Sequence, residues 1–539
     1  MKASSNTIVL ALLLSLFAGS AVACTSLLVS RKASDDGSVM ITYTCDGEFH
    51  PHLEYHPAAD YPEGDSLEIT DWYGNVLGKI PQVRHTYAVM GLMNEHQLAI
   101  GETTFGGRDV LRDPEGLLHY WDLMILALQR ARTAREAIKV ITGLVEEHGY
   151  RSTGESFSIA DAKEVWIMEM IGMGPDSKGA VWVARKVPDG YICAHANKAR
   201  IGKFPLNDKD NCMFHKNVIS FAVEKGYYDP ESGDEFHFNE AYDPSTPKNL
   251  KWGEGRVWSI FRRASPSQNF SPDYWRGVKG AERYPLWIKP DDKISFSGVL
   301  DLMRDHYEGT PYDMTVGVDA GPYGSPERWR PLDWTLDSTV FYSWERPVST
   351  FHTAFSFVSQ SRSWLPDGVG GVYWYGLDNT YTTCYMPLYC CITEVPHSFT
   401  VGGLSDFSWE SAWWVFNFAA NFANLKYSFM VKDIIAVQAQ IEGGFIRMQP
   451  AVEDAAVKLL KEDKDLMVRY LTDYSVRGVE QTVKRWRKLG EDLIVKYNDG
   501  YVKNEKGRPT DAGYPERWLK DVIKLRPRQF VMPEWEDKE

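Results

Sequence analysis

Ala21-Val22-Ala23 runs directly into Cys24, and that junction carries the most specific chemistry in the chain. Ahead of it, Lys2 supplies a positive charge and residues 8–19, IVLALLLSLFAG, form an apolar run. This is the layout of a secretory signal peptide; a membrane-spanning helix takes about 20 apolar residues, more than this run offers. Cleavage after Ala23 makes Cys24 the N-terminal residue, so that a thiol and an α-amino group belong to one amino acid. Their ordinary pKa values, about 8.5 and about 7.7–8.0, put both close to titration at neutral pH. The amine can then take the thiol proton, the thiolate can attack a carbonyl, and the ammonium can return the proton to a leaving amine. Before cleavage the same nitrogen is an amide and no base, so processing would switch the activity on.

Lipoprotein processing also leaves an N-terminal cysteine, with its sulfur alkylated. It favours leucine three residues upstream, where this chain has Ala21. A flexible polar tether usually follows a lipidated cysteine. Here Leu27–Val29 and Val39–Tyr43 follow as two apolar runs joined by the turn residues Asp35-Asp36-Gly37, which builds Cys24 into a hairpin. The residues favour ordinary cleavage, with lipid attachment as the alternative.

Acyl transfer by Cys24 needs donors for a tetrahedral oxyanion and a carboxylate to hold the amine. Asp46 ends the second run of the hairpin, and strand pairing would bring it back beside Cys24; the competing reading of Asp46-Gly47 is a plain turn. Asn94 and Asn197 are oxyanion candidates, each at a strand end or turn where asparagine is also common for backbone reasons. No Ser/His/Asp order, phosphate-binding glycine loop or HExxH zinc motif offers a rival chemistry. His50, His52 and His56 gather in FHPHLEYHP, but Pro51 and Pro57 make this a loop, and no metal site is expected there.

The elements that must position these groups follow from pattern. YAVMGLMNEHQLAIGETTF reads as two strands around Asn94-Glu95-His96, and residues 119–149 as helix, with a break at the capping box Thr133–Glu136 and a stop at Gly149. ESFSIAD and EVWIMEM predict a hairpin across Ala162-Lys163; AVWVARKV and GYICAHAN predict another across Pro188-Asp189-Gly190. Further strands are expected between 312 and 400, and from about 430 the pattern turns helical and charged. The class is therefore α+β with antiparallel sheets. The expected organisation is a signal peptide over 1–23, a catalytic domain over 24–430 and a helical C-terminal region over 431–539.

Composition narrows the function. Hydrophobic residues at 44% indicate a packed globular protein, and the net charge of −14 disfavours a nucleic-acid or anionic-membrane partner, which would need a basic face. Seven cysteines permit up to three bridges besides a free Cys24, but a core of this size does not need them, and most are expected to be buried thiols.

CTSLLVSRKASDDGSVMI, GLMNEHQLAIGETT, FSIADAKEVWIMEMIG, HANKARIG, YEGTPYDMTVGVDAGPYGSPERWRP and SWLPDGVGGVYWYGLDNTYTTCYMPLY together resemble the dipeptidase A family of N-terminal-nucleophile (Ntn) cysteine peptidases, related to secernins. The resemblance runs from Cys24 to about residue 400. It implies an αββα four-layer sandwich and hydrolysis of dipeptides without metal or cofactor. It also implies Cys24 as nucleophile, Asp46 as the carboxylate beside its amine, and Asn197 as the residue orienting substrate and oxyanion. Two departures stand out. The related acylases carry an arginine just before the aspartate, where this chain has Tyr43-Thr44-Cys45. Their second oxyanion asparagine is replaced by Gly101-Glu102-Thr103. Arg328 and Arg362 are candidates to meet a substrate carboxylate. The expectation is thus an exported dipeptidase, periplasmic or extracellular, of open oligomeric state. An acylase-type amidase acting on N-acyl amino acids or bile-type conjugates, and a non-enzymatic surface lipoprotein, are the alternatives.

Overall fold

The computed structural model describes residues 24–337 and 340–532, so the signal segment expected over residues 1–23 lies outside the described residues. Ten strands matter for the site: β1 (Ser26–Val29), β2 (Val39–Asp46), β3 (Ala99–Gly106), β4 (Gly154–Ala160), β5 (Val165–Gly172), β6 (Ala180–Lys186), β7 (Ile192–His195), β8 (Thr353–Ser361), β9 (Val372–Leu377) and β10 (Met386–Tyr389). The first sheet has seven strands in the order Trp287–Ile288, β7, β1, β2, β8, β9, β10. The second has eight, running from Cys212–Phe214 through β6, β5, β4 and β3 to the short strands Met93–Asn94, Val89–Met90 and Tyr55–His56. Every pairing within them is antiparallel.

The sheets stack face to face, with β1 and β2 against β3, β4 and β5. Helices α1 (Tyr120–Arg130) and α2 (Ala134–His148) pack on the second sheet, and α3 (Gly255–Ala264) packs beside β7 of the first. All eight residues of β2 are buried, which is why VMITYTCD is apolar or small on both faces instead of alternating. Gly101 in β3 is needed for the close approach of the sheets: a Cβ there would lie 3.0 Å from Tyr43 Cβ and 3.5 Å from the Phe357 ring. At the head of α2, Thr133 Oγ1 accepts the Glu136 amide, while the Glu136 carboxylate takes the Arg132 amide, one residue earlier than a reciprocal box requires. Gly149, at φ 83°, ends the helix as its position suggests.

One expected hairpin is not a hairpin. The turn Pro188-Asp189-Gly190 carries the chain from one sheet to the other: β6 pairs with β5, whereas β7 pairs with β1 (Ser26 opposite His195, Val29 opposite Ile192). A strand buried on both faces must have its backbone groups paired along both edges, and β1 had only β2 until β7 arrived. Between β2 and β3 the chain also forms an antiparallel hairpin of Ser66–Thr70 with Val76–Pro81.

The C-terminal helices α4 (Ala412–Ala423), α5 (Tyr427–Glu462) and α6 (Lys464–Tyr497) lie against β9 and β10, and α5 runs across residue 430 without a break. Asp463 separates the two long helices, its carboxylate accepting the amides of Asp465 and Leu466 as the cap of α6. Among the described residues no helix is long and apolar enough to cross a membrane.

Candidate active site

Strand register assembles the first part of the site. Leu28 faces Ile41 and Thr25 bridges Thr44, so the same register sets Cys24 opposite Cys45, with Asp46 next along β2. Thr25 and Thr44 lock this end by two bonds, from Thr25 N to Thr44 Oγ1 (2.9 Å) and from Thr44 N to Thr25 O (3.0 Å). Cys24 is completely buried. Its Sγ lies 3.7 Å from Glu102 Oε1 and 3.9 Å from the Tyr43 hydroxyl, and that hydroxyl donates to Glu102 Oε1 at 2.5 Å. Burial first, then the Cys45 thiol and the Glu102 charge, push the Cys24 thiol well above its ordinary pKa. It rests as a thiol, and attack requires a base to take its proton.

His195 is not that base. Its Nδ1 and Nε2 are bonded to the hydroxyls of Thr103 and Ser158, both at 2.7 Å, and burial pushes its pKa down to about 3. The imidazole is a neutral strut between the sheets.

Arg256, on the first turn of α3, grips the main chain of the cysteine. Its Nη1 donates to Cys24 O and to Thr25 Oγ1, each at 2.7 Å; its Nη2 donates to Asn197 Oδ1 at 2.7 Å and to Ala196 O at 3.3 Å. The Asn197 amide nitrogen donates to Thr104 O at 2.6 Å, so this side chain spans from α3 to β3. Asn197 sits at φ 55°, a left-handed conformation that asparagine tolerates better than most residues. Gly253 lets the α3 segment come this close, since a Cβ there would meet Ala196 O at 2.6 Å. The loop after Asn197 is tied down by buried ion pairs, Lys198 with Asp243 (2.9 Å) and Arg200 with Glu254 (3.0 Å).

Asp46 is also buried. Its carboxylate accepts from Thr353 Oγ1 at 2.7 Å and pairs with Arg346 at 3.4 Å. Burial raises its pKa against the opposing pull of Arg346, Thr353 and Arg256. The basic partner missing just upstream of Asp46 in the sequence is therefore supplied by Arg346, 300 residues away.

Beside Cys24 two carboxyl groups lie together. Thr104 pairs with Glu155 across β3 and β4, and its hydroxyl donates to Glu155 Oε1 at 2.8 Å. Glu102 and Glu155 are fully buried and hydrogen-bonded to each other, and apart from that mutual contact the second oxygen of each, Oε2, has no partner. Burial and the neighbouring Glu102 charge drive Glu155 well above the carboxylate range, and burial raises Glu102 as well. Such a pair holds one proton between two groups. A cavity of about 980 Å³ opens here, with Cys45, Thr104, Glu155, Asn197 and Arg256 on its inner wall, Tyr120 and Trp252 on its sides, and Arg112 and Lys248 further out.

The structure thus brings Cys24, Asp46 and Asn197 into one cluster and leaves the other sequence candidates outside it. Asn94 is consumed by its turn: its amide nitrogen donates to Leu128 O and Ala131 O, and its oxygen accepts from the amides of His96 and Leu98. Arg328 bonds Ser325 O, Glu327 O, Met314 O and the Asp319 carboxylate within its own loop. Arg362 bonds Gly370 O and Val369 O and pairs with Glu453 of α5 at 2.6 Å. His50 and His52 bond Ser411 Oγ and Gly402 O, and among the described residues no group of three or more His, Cys, Asp or Glu is arranged to hold a metal. Sequence reasoning missed Arg256, Arg346 and Glu155. The available signal was a charged residue inside an otherwise apolar element: Arg256 in GRVWSIF, and the glutamates of AIGETTF and ESFSIA.

Comparison with known proteins bears on the same region. The sequence model of peptidase family C69 matches residues 23–440. A probable dipeptidase of Salmonella dublin is 28% identical over 393 residues, covering 69% of this chain and 82% of that protein. A probable dipeptidase of Latilactobacillus sakei is 27% identical over 374 residues, 66% of this chain and 71% of the relative. Dipeptidase A of Lactobacillus helveticus is 23% identical over 436 residues, 75% of this chain and 82% of the relative.

Proposed function

The chain belongs to peptidase family C69, and on that premise we propose that it is an exported dipeptidase whose nucleophile is Cys24, released as the N-terminal residue by cleavage after Ala23. The observation that carries this reading is the clamp on Cys24: a buried thiol at the end of a central strand, its carbonyl held by Arg256, beside a cavity with acidic and basic walls. The two stacked sheets with helices on their outer faces agree with the αββα sandwich of N-terminal-nucleophile hydrolases.

In this mechanism the α-amine of Cys24 takes the Sγ proton as sulfur bonds to the scissile carbonyl carbon. Asp46 orients the resulting ammonium, and Asn197, fixed by Arg256 and Thr104 O, orients the carbonyl. The ammonium gives its proton to the leaving nitrogen as the C–N bond breaks, leaving a thioester. Water then attacks the thioester, the amine takes the water's proton, and collapse returns the thiol and a free carboxylic acid. Arg112 on the outer wall suits the substrate carboxylate, whereas Lys248 is paired with Asp333 at 2.8 Å.

The strand that begins at Ser26 supports hydrolysis over lipid anchoring, because the chain enters the sheet at once and leaves no flexible tether after Cys24. Mass analysis of the mature protein should find unmodified Cys24 first, and a form carrying uncleavable residues ahead of it should fold and stay inactive. A mature chain starting elsewhere, or an alkylated Cys24, would overturn the mechanism.

A further inference from the structure

We propose that Glu102 and Glu155 together receive the α-ammonium group of the substrate, so that the enzyme acts on peptides with a free amino terminus and rejects N-acylated ones. This rests on the dipeptidase reading and adds to it the residues that make the choice. The first argument is distance. The α-nitrogen of an amino acid lies about 2.5 Å from its own carbonyl carbon, so a group that binds it must stand within a few ångström of the attacking sulfur. Glu102 Oε1 is 3.7 Å from Cys24 Sγ, and Glu155 follows on the cavity side.

The second argument is the state of the carboxyl groups. One oxygen of each is spoken for, Glu102 Oε1 by the Tyr43 hydroxyl and Glu155 Oε1 by Thr104, while the buried Oε2 atoms have no donor but the proton the two groups share. Among the described residues neither glutamate forms a salt bridge, in contrast to Asp46, Glu254, Asp243 and Asp305. Two adjacent carboxyl groups cannot both ionise cheaply without a cation beside them. An ammonium group offers three donors and a positive charge, which would replace the shared proton and let both carboxyl groups ionise. An acylated nitrogen offers one donor and no charge, and its acyl group would have to occupy the space of the pair. The same glutamates therefore place the amine and exclude the blocked substrate.

The test uses the mature wild-type protein and three probes: alanyl-alanine, N-acetyl-alanyl-alanine and propionyl-alanine, the last lacking only the amino group. Alanyl-alanine should be cleaved with kcat/KM at least about 100-fold above either analogue, since a site built to bond a polar group discriminates strongly against its absence. Glu155→Gln should raise KM for alanyl-alanine by on the order of tenfold or more and shrink its advantage over propionyl-alanine, with kcat less affected. Glu155→Asp, which keeps the charge, should retain most of the preference. If wild-type protein cleaves propionyl-alanine within about threefold of alanyl-alanine, the ammonium receptor is overturned while the peptidase reading stands. If it cleaves none of the probes nor any other dipeptide, both fall together. Should Glu155→Gln fail to fold, the wild-type comparison decides alone.

Discussion

Two regions of the molecule treat buried charge differently. Where the C-terminal helices meet β9 and β10, buried ions are matched: Arg304 with Glu442 and Arg362 with Glu453, each at 2.6 Å, the arginines bonding nearby carbonyls besides. Around Cys24, Asp46 is matched by Arg346, but Arg256 spends its guanidinium on main-chain and neutral oxygens, and the Glu102–Glu155 pair, bonded to itself beside the cavity, forms no salt bridge among the described residues. Completed pairs fasten the helices to the sheet. An acidic pair without a cation waits for something outside the chain. A buried acidic group without a counter-ion is the better pointer to chemistry, because folding alone gives no reason to keep it.

That contrast is tested first at its most sensitive atom. Cys24→Ala should abolish dipeptide turnover, a fall of about 10³ or more, with the melting temperature changed by only a few degrees because the packing lost is one sulfur atom. Retained activity would remove Cys24 from the mechanism. Arg256→Lys keeps a charge but cannot hold Cys24 O, Thr25 Oγ1 and Asn197 Oδ1 together; kcat should fall by on the order of 10², readable by stopped-flow or progress curves. Asp46→Asn should lower kcat by a similar or smaller factor, about 10–100-fold. Because the carboxylate favours the protonated amine, its removal lowers the amine's pKa. The acidic limb of kcat/KM should therefore move to lower pH, and an unmoved limb with near-normal kcat would make Asp46 a turn residue.

In the other region the effect on catalysis should vanish. Glu453→Gln strands Arg362 and should destabilise the fold by about 3 kcal/mol, seen in urea unfolding, while kcat of the folded enzyme stays within about twofold. A replacement of both partners by apolar residues should recover much of that loss. A large fall in kcat for Glu453→Gln would blur the division between the two regions.

Local pattern made the scaffold legible. The hairpin of β1 and β2, the break between α1 and α2 at Thr133 and the hairpin of β4 and β5 follow from periodicity and turn residues, and register then carries Asp46 to Cys24. What pattern could not reveal is which strands share a sheet: Pro188-Asp189-Gly190 serves a hairpin or a crossing equally well, and only the open edge of β1 decides. The same limit hid Arg256 and Arg346, which reach Cys24 and Asp46 across 232 and 300 residues of sequence. Asn94 and Arg362 looked available because a sequence shows side chains without their partners.

Arg256 holds residue 24 by its carbonyl oxygen, an atom every amino acid possesses. The path of the backbone at residue 24 is thus set by a contact that does not depend on the side chain, while Glu102 and the Tyr43 hydroxyl meet the heteroatom itself. Serine or threonine at this place would be presented along the same line as the thiol.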